Sequence, residues 1–219
     1  MEWGESPKVE FFRVENCTTF NAFAKLKELY NIDNNNLTNI RILGFNYNGV
    51  SEDVDLLANL ATDKDKNGEP HDFRGIDSNG VPSEDLLPVL EGTMTLEGSA
   101  YEDNVNTVKS YFPNINLIIN GPLYLRFADP EVNRVIAERL GDGTGTTVEQ
   151  IETATSVPSF YNNKLIEEFL ELERFIKVTT IGNFEYCSSL RNIRLSENVN
   201  TISGAAFRDC SALGSINLP

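Results

Sequence analysis

Positive charge is what this sequence has least of. Its 219 residues carry 18 Lys and Arg against 33 Asp and Glu, a formal net charge of −15. That balance argues against a nucleic-acid partner, because a polyanion is held by clustered Lys and Arg. It also disfavours anionic membrane surfaces and otherwise reads as a solubility trait. Histidine is nearly absent. His71, between Pro70 and Asp72, is the only one; with no nucleophile paired to it, it reads as a surface loop residue. The three cysteines, Cys17, Cys187 and Cys210, cannot all pair. No apolar run reaches the ~20 residues that cross a bilayer, so no membrane insertion is expected. The first residues lack the basic-then-apolar order of an export signal, and none is expected in this chain.

What is present is a near-repeat at the C-terminal end. Residues 183–197 read NFEYCSSLRNIRLSE and residues 206–219 read AFRDCSALGSINLP. Phe184 pairs with Phe207, Cys187 with Cys210, Leu190 with Leu213, Ile193 with Ile216 and Leu195 with Leu218, each 23 residues apart. A fixed period in the 20–29 range around L-x-x-I-x-L is the mark of a leucine-rich solenoid. Each repeat then supplies one short strand, and its apolar face is buried only by its neighbours. Phe160, Ile166 and Phe169 carry the pattern back by a further 24 residues, with Asn163 in the cysteine position. Phe169, Leu172 and Phe175 read as a helical stripe, and Val178 and Ile181 lead into the next turn. The two repeat cysteines suit a ladder of small, reduced, buried side chains, though adjacent rungs stand close enough to permit a disulfide. Ending on a bare strand at Leu218-Pro219, the repeats are expected to meet another chain or a continuation of this one.

Strand positions between the inward Leu and Ile point outward. Arg191, Asn192, Arg194, Ser215 and Asn217 are therefore the candidate partner surface, for a protein or a glycan.

The first 125 residues alternate strand and helix more loosely. Strand-like runs are Val9–Val14, Ile40–Tyr47, Met94–Glu97 and Ile115–Ile119. Helix-like runs are Thr19–Tyr30, Ser51–Ala61 (Val54, Leu57, Leu60) and Tyr101–Phe112 (Val105, Val108, Phe112). Irregular strand–helix units of a degenerate solenoid are the favoured reading of residues 1–125, and a separate small α/β domain is the competing one. Residues 126–157 read as a helix–loop–helix joint. Asp129-Pro130 opens the first helix with Pro at its first position, Gly141–Gly145 breaks it, and Thr147-x-x-Gln150 is a capping box opening the second. Residues 158–219 hold the repeats. The fold class is an α/β solenoid.

Chemistry-bearing motifs are weak. Asp63, Asp65 and Asn67, followed by Gly68, reproduce the opening of an EF-hand loop, but Arg74 stands where the bidentate Glu belongs, so a solvated polar hairpin loop is expected. Asp142 faces Gly and Thr where further acidic ligands are needed. Gly141–Gly145 lacks the Lys-Ser/Thr of a phosphate loop. Glu167-Glu168 and the Glu171/Glu173 pair read as a charged helix face, not carboxylates set across a cleft. No metal, no cofactor and no catalytic group is expected, and the protein is read as not an enzyme.

Residues 155–219, and VNTISGAAFRDCSALGSINLP above all, resemble the BspA-type leucine-rich repeats of gut anaerobes and their phages; VTTIGNFEYCSSLRNIRL follows the same pattern two residues short after Gly182. FADPEVNRVIAERLGDGTGTTVEQ is similar to the degenerate EF-hand-like segment that often precedes such repeats. RILGFNYNG, FRGIDSNGV and LEGTMTLEG…YFPNINLIIN look like units of large structural proteins of gut phages. These resemblances imply a structural and interaction protein: a virion tail or decoration component in an oligomeric assembly, contacting other virion chains or a host surface. The alternative is a bacterial cell-surface adhesin. The third reading is a scaffold attached to a glycan-active enzyme.

Overall fold

The run NIRILGFNYNGV, rich in β-branched and aromatic residues, forms the longest strand, β2 (Asn39–Val50). The computed structural model describes residues 11–15, 39–62, 89–214 and 216. They belong to two units, residues 1–121 and 122–219.

In the first unit, β2 is joined by β1 (Phe11–Glu15), β3 (Val89–Glu97) and β5 (Ile115–Asn120) in one parallel sheet of order β1-β2-β3-β5. Parallel neighbours require crossovers. Helix α1 (Glu52–Thr62) lies between β2 and β3 in the chain, and α2 (Glu102–Tyr111), entered through the two-residue strand β4 (Ala100–Tyr101), lies between β3 and β5. The helices meet where the Asn104 side-chain amide donates to Asp55 Oδ1 at 2.6 Å, so both cover the same side of the sheet. Val54 and Leu57 of α1 and Val105 and Val108 of α2 are buried, as is Phe112. Their spacing of three is that of one helix face. Met94 and Leu96, two apart on β3, are buried on the sheet. The four strands of this sheet follow one another in chain order, with α1 and α2 together on one side. Their lengths differ from those of the second unit: β2 spans 12 residues and β3 nine.

Next to β2, the buried Asp53 accepts from the Tyr47 hydroxyl at 2.7 Å and from Val50 N–H at 3.3 Å. Burial, followed by the neighbouring carboxylate, pushes the Tyr47 hydroxyl above its usual range.

The second unit opens with β6 (Leu123–Leu125), α3 (Pro130–Arg139), β7 (Thr146–Thr147) and α4 (Val148–Thr153). Strands β6 and β7 pair antiparallel, Tyr124 opposite Thr147 and Leu125 opposite Thr146. The helix–loop–helix forms as its capping residues direct. Asp129 caps α3 ahead of Pro130, and Thr147 and Gln150 close a reciprocal capping box on α4. Between them Asp142 Oδ1 accepts from Thr144 N–H (2.8 Å), the Thr144 hydroxyl (2.7 Å) and Gly145 N–H (2.9 Å). These donors hold its carboxyl far below the usual range.

The repeats follow. Strand β8 (Glu168–Phe169) pairs parallel with β10 (Asn192–Ile193), and β9 (Thr180–Ile181) with β11 (Thr201–Ile202). One turn of 3-10 helix, Glu171–Arg174, separates β8 from β9. Phe169 thus belongs to a strand, and the expected helical stripe is a strand residue followed by a short 3-10 turn carrying Leu172, with Phe175 just past it. Glu167 and Glu168 likewise sit at a strand, not on a helix face.

Three side-chain ladders tie the rungs. Phe160, Phe184 and Phe207 stack with centroids 5.4 Å and 5.5 Å apart and planes within 5° and 14°. The cysteine position donates backwards each time: Asn163 Nδ2 to Glu131 Oε1 at 2.6 Å, Cys187 Sγ to Phe160 O at 3.0 Å and Cys210 Sγ to Phe184 O at 2.9 Å. Both thiols are free and buried, and burial pushes Cys187 up to about 11 and Cys210 upward too. Acids of one rung meet arginines of the next at Glu167–Arg191 (3.4 Å) and Glu173–Arg194 (3.2 Å). Phe169, Leu172, Phe175, Val178, Ile181, Phe184 and Leu190 are fully buried.

Candidate interaction surface

The strand side of the first two rungs borders an open cleft of the second unit. The two-residue strands leave their outward positions uncovered, and Arg191, Asn192 and Arg194 are exposed while Ile193 between them is buried. Ser215 and Asn217 lie outside the described residues, as do Asp63, Asp65, Asn67, His71, Cys17 and the Thr19–Tyr30 run.

Arg191 and Asn192 line an open cleft of about 680 Å³ together with Glu167, Glu168 and Leu165 on one wall and the start of α3 (Ala128–Glu131, Arg134) on the other. Sequence reasoning placed Glu167 and Glu168 side by side on a solvated face. In the structure Glu167 remains exposed, and the backbone N–H groups of both bond Asp129, because the α3 cap lies against the edge of β8. That apposition joins positions 38 residues apart, and no local signal announces it.

Asp129 makes the apposition. Its Oδ1 accepts from Glu131 N–H (2.8 Å) and Val132 N–H (3.1 Å), the ordinary N-cap bonds. Its Oδ2 accepts from Glu167 N–H (2.7 Å) and Glu168 N–H (3.1 Å). One buried carboxylate therefore ends a helix and also occupies the free edge of the first repeat strand. Glu131 forks onto Arg134 (2.6 Å and 2.8 Å), which also bonds Glu138. That contact, ahead of its bond from Asn163, lowers the Glu131 carboxyl below the usual range. Asp129 is thus committed to four N–H groups, and Glu131 is held as an anion by Arg134. What the cleft offers is hydrogen bonding through Asn192 and Arg191, a carboxylate at Glu168, and the apolar Leu165, which is 70% exposed.

Among the described residues, no group of three His, Cys, Asp or Glu is placed to hold a metal ion. No helix among them is long and apolar enough to cross a membrane.

Residues 146–219 match the family model described as the BspA type leucine-rich repeat region (6 copies). The match gives this part of the chain a repeat fold. It begins at Thr146, inside the helix–loop–helix, and so takes in α4 as well as the rungs. No curated protein and no solved structure matches the chain.

Proposed function

We propose that this protein is a non-enzymatic interaction protein whose C-terminal leucine-rich solenoid presents its strand side to a partner, through Arg191, Asn192 and Arg194. The observation that carries the reading is that Arg191 and Asn192, exposed on a strand of the segment matching BspA type repeats, line an open cleft with the start of α3, and Arg194 is exposed beside them. The partner is a protein or glycan of a biological surface, and the chain works in an oligomeric assembly. Its setting is a virion, as a tail or decoration component; this rests on the resemblance of RILGFNYNG, FRGIDSNGV and LEGTMTLEG to phage structural units. The surface-interaction character of the matched family favours the second setting, a bacterial cell-surface adhesin.

The test is immunogold electron microscopy of the particles and cells that carry the protein, paired with capture of partners by wild type and by an Arg191→Ala/Asn192→Ala/Arg194→Ala variant. Labelling on a virion or a cell envelope, with partner capture lost in the variant, is the expected result. A protein free of both surfaces, or capture unchanged in the variant, would overturn the proposal.

A further inference from the structure

A second surface lies on the turn edge of the rungs, away from the outward strand residues. The turn after each rung phenylalanine passes through left-handed backbone: Asn162 at φ 58°, Tyr186 at φ 62° and Asp209 at φ 58°. Asn and Asp tolerate that region because their short polar side chains bond locally. A tyrosine there is a conformational outlier, and such strain persists where function requires the side chain. The Tyr186 ring is not spent on the core, since it is only part-buried. It meets the Tyr161 ring edge-on, with centroids 5.6 Å apart and planes at 80°. Arg208 lies 5.1 Å from its centroid and donates to its hydroxyl at 2.6 Å. Lys164 lies 5.9 Å from the centroid and donates to the Tyr186 carbonyl.

Tyr186 is therefore a fixed post, braced by cations, against which Tyr161 stands. Tyr161 itself is 60% exposed. A rigid aromatic face in water, rimmed by polar side chains, is a platform for a flat ligand with an apolar face and a hydroxylated edge. We propose that Tyr161 stacks a pyranose ring of a neutral glycan, with Arg208, Lys164 and Glu185 bonding its hydroxyls. A protein partner fits less well, because a stable protein interface needs about 800 Å² on each side around a dry apolar centre. The site also favours a neutral sugar over an acidic one. Arg208 is already shared with Glu185 at 3.8 Å, Lys164 is engaged by a carbonyl, and the chain's charge of −15 repels anions at long range.

Titration calorimetry of the full chain with four neutral hexaoses tests this: α1,4-, β1,4- and β1,3-linked glucose and β1,4-linked galactose. At least one is expected to bind with Kd of about 1 mM or tighter, weakened at least about tenfold by Tyr161→Ala and little changed by Tyr161→Phe. Stacking needs the ring and not its hydroxyl, which is why the two variants differ. A variant at an exposed position outside both surfaces, Lys177→Ala, is expected to bind as wild type, which ties the loss to the Tyr161 ring. Absence of binding to all four sugars, or equal binding by Tyr161→Ala, overturns the proposal.

Discussion

Removing the Asp129 carboxylate is expected to loosen two elements at once. In Asp129→Ala, four N–H groups lose their acceptor: those of Glu131 and Val132 in α3 and those of Glu167 and Glu168 at β8. An N-cap alone is worth about 1 kcal/mol. Bonds to a charged acceptor are worth about 1.5–3 kcal/mol each, but bonds sharing one carboxylate do not add. A local loss of about 3–5 kcal/mol is therefore expected for alanine. Asp129→Asn separates the two roles. Its oxygen keeps the cap bonds, while its amide NH₂ faces two N–H donors at β8, for a loss of about 1–3 kcal/mol confined to that edge. Because the chain has two units, global unfolding need not be two-state, and amide hydrogen exchange is the proper assay. Protection at Glu167 and Glu168 should fall in both variants, and at Glu131 and Val132 mainly in the alanine. Unchanged protection at Glu167 and Glu168 in either variant would refute the idea that this carboxylate seals the repeat edge.

Phe184 is stacked on both sides and fully buried; Phe184→Ala should cost about 3–5 kcal/mol in chemical denaturation followed at the repeats. Cys187 and Cys210, with burial suppressing their thiolates, should resist a thiol reagent at pH 7 and label on unfolding, as read by peptide mass spectrometry. Glu131 has a folded pKa below its unfolded value, so its stabilisation is present above the ordinary carboxylate range of about 4.3 and is lost as pH falls through the lower folded value. Glu131→Gln should therefore flatten the acid limb of stability of the second unit, and an acid limb identical to wild type would count against the Arg134 contact.

Periodicity made the repeats legible. Cys187 and Cys210 at the same place in successive rungs announced a buried ladder, and Asn163 announced the rung before it. Local capping chemistry made the joint legible, since Asp129-Pro130 and Thr147-x-x-Gln150 act within four residues of themselves. Helix faces in the first unit were readable for the same reason, as Val54, Leu57, Val105 and Val108 follow one spacing. What was hidden is non-local. The second oxygen of Asp129 reaches residues 38 and 39 positions away, and the cleft that results could not be read from Glu167-Glu168 alone. The aromatic post at Tyr186 was hidden differently: only the backbone shows that Asn162, Tyr186 and Asp209 share a conformation that suits two of them. Acidity, too, is uneven. Residues 1–121 hold nine Lys and Arg against 20 Asp and Glu, and residues 122–219 hold nine against 13.

The two rungs that follow β8 differ in length at two corners: Ile193 to Ile202 is three residues shorter than Phe169 to Ile181, and Ile202 to Phe207 is two longer than Ile181 to Phe184. Strands β9 and β11 pair residues 21 apart, Thr180 with Thr201, while the stacked rings of Phe184 and Phe207 are 23 apart. Two extra residues are therefore taken up between Ile202 and Phe207, where Ser203 N–H donates to Ile181 O and Phe184 N–H to Ala206 O, so both ladders stay in step around the longer corner. Such a corner works as an expansion joint. Short sequences could be spliced between Ser203 and Ala206, as they could not within Asn192–Leu195, and carry new surface chemistry without disturbing the stack beneath.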